Sequence, residues 1–303
     1  MYQLYEGDCL ELLHQIPDQS IDFIFADLPY GTTQNAFDVR IPLSDYIEIE
    51  GRQYSREDYL LWAYRRGVSY KEALAIFRKE AISGLWSHYK RIIKDHGCIA
   101  LFAQSPFDVE LMKSNKSWYR YEWILHKTHS TGFLNANKAP LKAHEKLLIF
   151  YKKPPKYHPQ KTSGHDPTHT YMKRAGGENY KQVGQLPGGG STERYPTDVL
   201  TFRWDKQHSA EHTHQKPVAM CEYFIKTYTD EGDTVLDNTM GSGSAGIACL
   251  QTNRNFIGIE KDPANFARAK DRIDCYHKEV SKHDERNELG GDPIHQQCRI
   301  EGF

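Results

Sequence analysis

Asp27-Leu28-Pro29-Tyr30 follows directly on the apolar run Ile21-Asp22-Phe23-Ile24-Phe25-Ala26. Each residue type suits one task. A carboxylate accepts hydrogen bonds from an amine, a proline stiffens a turn that exposes backbone carbonyls, and a ring offers its face to a planar base. A strand ending in these residues delivers them to the carboxyl edge of a sheet, where open α/β sheets bind ligands. Taken alone, the tetrapeptide reads more simply as a strand-to-turn junction capped by its acid. Motifs further along the chain reverse that balance.

The second motif is the run from Thr234-Val235-Leu236-Asp237 through Asn238-Thr239-Met240-Gly241-Ser242-Gly243-Ser244, a strand entering a glycine-rich turn ahead of a small-residue helix. Gly241 and Gly243 allow a tight turn and close approach of a ligand, and the helix that follows offers free N–H groups. About twenty residues on, Phe256-Ile257-Gly258-Ile259-Glu260 ends in the carboxylate position that holds ribose hydroxyls in nucleoside sites. The loop has no G-K-[ST] phosphate grip, and Asp237 would repel a pyrophosphate. A nucleoside bearing an amine and a carboxylate, as in S-adenosylmethionine, suits it better.

The elements needed to hold these motifs are present. Strand-like runs occur at 2–6, 21–26, 98–103, 122–126, 146–151, 234–236 and 255–260, with helical patterns at 83–94 (ended by Gly97), 217–229 and 263–276. Their alternation predicts a mostly parallel α/β sheet. The stretch 46–82 does not fit a minimal domain; Ser55 reads as a helix N-cap there, and mixed charges predict a helical pair with internal salt links. Beyond Tyr276 a polar tail is expected to be solvated.

The chain has 303 residues, 39% of them apolar, enough for one catalytic domain with a smaller insertion. It contains no apolar run of membrane-spanning length, and Met1-Tyr2-Gln3-Leu4 leads straight into a strand, so a soluble, unprocessed, cytoplasmic protein is expected. The six cysteines form no C-x-x-C pair, which argues against disulfides and a cysteine zinc site. His158, His165, His169, His208, His212 and His214 match no ligand spacing, and no metal is expected. A net charge of −1 requires any nucleic-acid surface to be a patch, and the candidate is the Lys- and Tyr-bearing stretch 152–203, which composition alone reads as a solvated loop.

With these motifs in order, the chain resembles the DNA amino-methyltransferases, which modify adenine N6 or cytosine N4, in the permuted β class where the catalytic motif precedes the cofactor motif. The resemblance covers most of residues 1–276. The family tetrapeptide is acid or Ser, Pro, Pro, aromatic; Leu28 departs at the second position, which serves through its backbone carbonyl. Gly7-Asp8-Cys9-Leu10-Glu11 resembles the segment whose Asp touches the cofactor adenine. The runs Thr131-Gly132-Phe133-Leu134-Asn135 and His144-Glu145-Lys146-Leu147 resemble the portion shaping the target-base pocket and its adjoining strands. His214-Gln215-Lys216-Pro217 resembles the motif opening the helix over the methionine end. Beside these stand plainer readings, Asp8 as a helix N-cap and Lys216 as a first-turn surface residue.

The resemblance implies a Rossmann-like, seven-stranded, mostly parallel SAM-dependent methyltransferase sheet with circularly permuted motif order and an inserted target-recognition segment. Residues 1–151 would form the catalytic half with the insertion at 46–82, 152–212 the target-recognition segment, 213–276 the cofactor half and 277–303 the tail. Asp27, Leu28, Pro29 and Tyr30 would be catalytic. Asp8, Cys9, Lys216, Asp237, Asn238, Thr239, Gly241, Ser242, Gly243 and Glu260 would bind S-adenosylmethionine, and Lys173, Arg174, Arg65 and Arg66 would contact DNA. The acid at position 27 points to adenine N6 in a specific double-stranded sequence, reached by base flipping. The alternatives are cytosine N4, a glutamine amide or RNA as substrate, and a catalytically inactive DNA-binding protein of the same fold. A homodimer and a companion restriction endonuclease are the further partners suggested.

Overall fold

The computed structural model describes residues 1–31, 38–169, 171–174, 185–202 and 215–288, with the backbone alone described for 171–174, 185–188 and 281–288. In chain order the elements begin with β1 (Tyr2–Glu6), α1 (Cys9–Leu12) and β2 (Ile21–Ala26). The insertion carries β3 (Tyr46–Ile49), β4 (Arg52–Ser55), α2 (Arg56–Tyr64) and α3 (Tyr70–Glu80). After it come α4 (Leu85–Ile92), β5 (Ile93–Ala103), α5 (Phe107–Ser114), β6 (Tyr119–Thr131) and β7 (Lys142–Phe150). Then follow β8 (Tyr171–Arg174), β9 (Gln185–Gly188), β10 (Val199–Phe202), α6 (Val218–Tyr228), β11 (Thr234–Asp237), α7 (Ser244–Gln251), β12 (Asn255–Glu260) and α8 (Pro263–Glu288).

Eight of these strands form one sheet in the order β1-β12-β11-β2-β5-β7-β6-β10, and only β7 runs against its neighbours. Strands β11 and β12 enter the sheet between β1 and β2, which sets the glycine-rich turn beside the Asp27 turn. The chain order is thus permuted while the spatial neighbourhood is that of a nucleoside-binding sheet. Helices α6 and α7 cover one face through Met220, Phe224, Ile225, Ala248 and Cys249, together with Ile273 of α8. On the other face Leu13, Leu85, Trp86, Tyr89 and Phe107 pack against Ile24, Ile99 and Leu101. Central strands covered on both faces read as continuous apolar runs, which is why β2 and β5 stand out in the sequence.

Several expectations are corrected. The sheet has eight strands, not seven, because Val199–Phe202, within the segment expected to read DNA, pairs in parallel with β6. Helix α4 stops at Ile92 and Ile93 pairs with Ile21, so Gly97 lies inside β5 and is no helix stop; a Cβ there would meet the Ile93 side chain and the Asp22 carbonyl. Helix α8 runs on to Glu288, since the Lys- and Glu-rich start of the tail has good helix propensity. In the insertion Ser55 does cap α2, accepting from the Asp58 N–H. The expected salt links are absent among the described residues apart from Lys79 with Glu80; instead Tyr59, Ala63, Ala73 and Phe77 form a small core of their own with Ile47.

Candidate active site

Asp27, Asp237 and Glu260 leave the carboxyl ends of the adjacent strands β2, β11 and β12. Three acids along one edge repel one another unless each is neutralised or hydrogen-bonded, and each is treated differently here.

Asp27 is fixed on both oxygens. The Tyr30 hydroxyl donates to Oδ1 at 2.8 Å, and the Lys216 ammonium lies 3.0 Å from Oδ2. Lys216 also donates to Glu145 at 2.7 Å, and Glu145 takes further hydrogen bonds from Lys127 and from Gln104 at 3.2 Å. Burial works against both charges of the Glu145–Lys216 pair. The two ammonium groups outweigh it for Glu145, holding its carboxyl at about 2, and the two carboxylates outweigh it for Lys216, whose pKa rises above the ordinary lysine value. The reading of Lys216 as a surface residue is therefore wrong: it is a nearly buried cation over the Phe102 ring, 4.5 Å from its centroid, and it bridges two acids. Tyr30 stacks on Phe107 at 5.3 Å, and burial followed by the Asp27 charge pushes its hydroxyl well above the usual range, so it remains a donor. The Arg40 guanidinium donates to the Tyr30 carbonyl at 2.9 Å and completes the turn. Leu28, 2% exposed, sits in the core beneath, so apolar burial pins the turn where the family uses a second proline.

On the adjoining side, Asp237 accepts the Thr239 N–H at 3.0 Å, and no cation pairs with it among the described residues. Burial, together with the charges of Asp27 and Glu260, drives its carboxyl up to about 8. The Thr239 hydroxyl donates to the Asp27 carbonyl at 3.1 Å, which ties the catalytic turn to the glycine-rich one. Glu260, raised by burial, accepts from Gly241 N–H and Asp262 N–H, each at 2.9 Å. Gly241 has φ 51°, and a Cβ there would meet just the Thr239 carbonyl, at 4.0 Å, while Gly243 has φ 76° at the start of α7. Ser242 gives its carbonyl to Arg272. Asn238 accepts from Tyr89 at 2.5 Å and faces Cys9, whose thiol is pushed up to about 11, chiefly by burial. A buried carboxyl with no counter-charge among the described residues, next to a glycine turn open to approach, fits a ligand that brings an amine or sulfonium of its own.

Asp8 is the N-cap of α1, accepting from Leu10 at 2.9 Å, and pairs with Lys261 at 2.9 Å. His214 lies outside the described residues, and Lys173 and Arg174 lie on β8, of which the backbone alone is described. Arg65 is exposed at the end of α2, whereas Arg66 stacks on Trp62 at 4.0 Å. Lys127, Gln104 and Phe107 join the site although none of them lies in the sequence motifs. The signal for one pair was available: Trp123, Leu125 and Lys127 share one face of β6 by period two, as Glu145, Leu147 and Ile149 do on β7, so an acid and a base continue two buried apolar rows.

A protein-family model described as DNA methylase, for N6 and N4 methyltransferases, matches residues 21–271. Among known proteins, the type II methyltransferase M.HpaI of Haemophilus parainfluenzae is 24% identical over 97% of this chain and 82% of its own length. M.BglII of Bacillus subtilis is 28% identical over 88% of this chain and 67% of its own. Among solved structures, the PvuII DNA methyltransferase (cytosine-N4-specific) superposes with a TM-score of 0.55 at 14% identity, covering 92% of each chain. The M1.HpyAVI–SAM complex gives 0.51 at 19% identity over 90% of this chain and 100% of that one; both likenesses are of fold.

Proposed function

The chain belongs to the DNA methylase family, and from that premise we propose that it methylates the N6 amine of adenine in double-stranded DNA, using S-adenosylmethionine. The observation that carries this reading is the Asp27 carboxylate, oriented through both oxygens at the sheet edge beside the buried Asp237 carboxyl, which has no counter-charge among the described residues. S-adenosylmethionine, when bound, supplies an electrophilic methyl group on a sulfonium.

The residues on the other side of that methyl group must make a poor nucleophile adequate, because the N6 lone pair is delocalised into the purine. Hydrogen bonds from N6–H to the Asp27 carboxylate and the Leu28 carbonyl favour the pyramidal amine and aim it. Lys216 and Tyr30 keep Asp27 in one rotamer, so little reorganisation is needed when the base arrives. The base must first leave the stack, at a cost of a few kcal/mol. Stacking on Tyr30, backed by Phe107, returns roughly 1–3 kcal/mol. Asp237 would take the cofactor amine, Glu260 a ribose hydroxyl, and the Asp8–Cys9 segment the adenine end, while Lys216 serves the target side as the clamp on Asp27. An acid at position 27, where serine is more frequent among cytosine-N4 enzymes of the class, supports adenine over cytosine.

Asp27→Ala tests the assignment. Methyl transfer should vanish while calorimetric affinity for S-adenosylmethionine is largely kept, because Lys216 keeps Glu145 as partner and alanine keeps the backbone carbonyl that holds Thr239, so that on the cofactor side only the Asp27 charge acting on Asp237 is removed. Turnover near the wild-type rate would refute it.

A further inference from the structure

We propose that the hairpin joining β6 to β7 is a wedge that enters the DNA duplex, with Phe133 and Leu134 filling the space a base vacates when it leaves the stack. The inference rests on the reading of the chain as a DNA methyltransferase. In register, Ala103, the last residue of β5, lies opposite Lys146 of β7, so Lys142–Glu145 extend the hairpin past the sheet's carboxyl edge. At 3.3 Å per residue that overhang is about 13 Å before the turn begins. It projects from the same edge that carries Asp27, and its base is tied to the catalytic cluster by Lys127 and Glu145.

At the tip stand two large apolar side chains that touch no core: Phe133 is 80% exposed and Leu134 is 99% exposed. Their outward pose is built in. Gly132 turns the chain with φ 90°, and Asn135 N–H to Gly132 O at 2.9 Å, Ala136 N–H to Phe133 O at 3.0 Å and Lys138 N–H to Asn135 O at 2.8 Å close a compact turn. Between Lys127 and Ala143 the sequence holds no acid. Lys138 and Lys142 are exposed and have no carboxylate partner among the described residues. An apolar tip flanked by these exposed cations, on a chain whose net charge is −1, is complementary to a stacked polyanion. Apolar wedges between base steps are a known way for proteins to hold distorted duplexes, and unpaired lysines beside them meet phosphates.

The test uses the full chain, labelled S-adenosylmethionine and a duplex bearing the sequence that the wild-type enzyme modifies, with the target base either paired or opposite an abasic position. Phe133→Ala/Leu134→Ala should slow single-turnover methylation of the paired duplex by about tenfold or more. Most of that loss should be recovered on the abasic duplex, where no pairing has to be broken, and Phe133→Trp should keep the paired rate. Equal loss on both duplexes, or no loss on either, overturns the wedge. If the wild-type chain methylates no DNA, the functional reading beneath the wedge fails instead.

Discussion

Asp237 ends β11 with a buried carboxyl that meets one backbone N–H and two neighbouring acids, and burial raises it to about 8. Its folded pKa therefore lies above its unfolded value near 4. Between those pH values the folded chain binds the extra proton, so this group's contribution to stability is fully present below about pH 4 and is lost as pH rises towards 8. Asn at this position stays neutral throughout. The ligand-free Asp237→Asn variant should thus gain melting temperature over wild type progressively from pH 5 to pH 8, while losing roughly 1.5–3 kcal/mol of S-adenosylmethionine affinity, the scale of a hydrogen bond to a charged group. A melting difference independent of pH would remove Asp237 from its buried, uncompensated role. At this scale the sequence announces the acids because each ends an apolar strand at a turn. It does not announce the whole clamp: the Lys127–Glu145 pair follows from the β6–β7 hairpin, but Lys216 stands just before α6, far along the chain from Glu145, and only the fold brings it there. Leu28 also needed the fold, because its value as a core anchor depends on what lies beneath the turn.

The insertion shows what an element can and cannot reveal. The cap at Ser55 is readable, as it depends on residues within one turn; the packing of α2 on α3 through Tyr59 and Phe77 is not, and a near balance of acids and bases is a poor guide to pairing. The two ends of the insertion are already joined: Tyr46 and Ile82 exchange backbone hydrogen bonds at 3.0 and 2.7 Å, and Asp45 accepts from Gly84 and Ser87. Replacing residues 47–81 by a short Gly/Ser linker should therefore leave a cooperative melt and unchanged calorimetric binding of S-adenosylmethionine, since closing a surface loop between adjacent ends costs little. Loss of cofactor binding would mean that the insertion supports the sheet edge directly. Strand β10 is not legible in the sequence because it is short and half-exposed, and its place is set by pairing with β6 and by Phe202 against Tyr223 and Phe224.

For the molecule as a whole, a near-zero charge means that DNA must be met locally, and the candidate contacts are the β6–β7 tip, which extends past the edge that carries Asp27, exposed Arg65 on the insertion, and Lys173 and Arg174 on β8. The permuted order follows from the sheet, since β11 and β12 carry the cofactor motifs into its centre beside β2. The central claim is that this edge presents adenine N6 to the methyl donor. It is tested most directly by incubating the full chain and unmethylated duplex DNA with methyl-tritiated S-adenosylmethionine, digesting the DNA to nucleosides and separating them. The account predicts label in N6-methyladenine, absent with Asp27→Ala; label in N4-methylcytosine, or in no nucleoside at all, would contradict it.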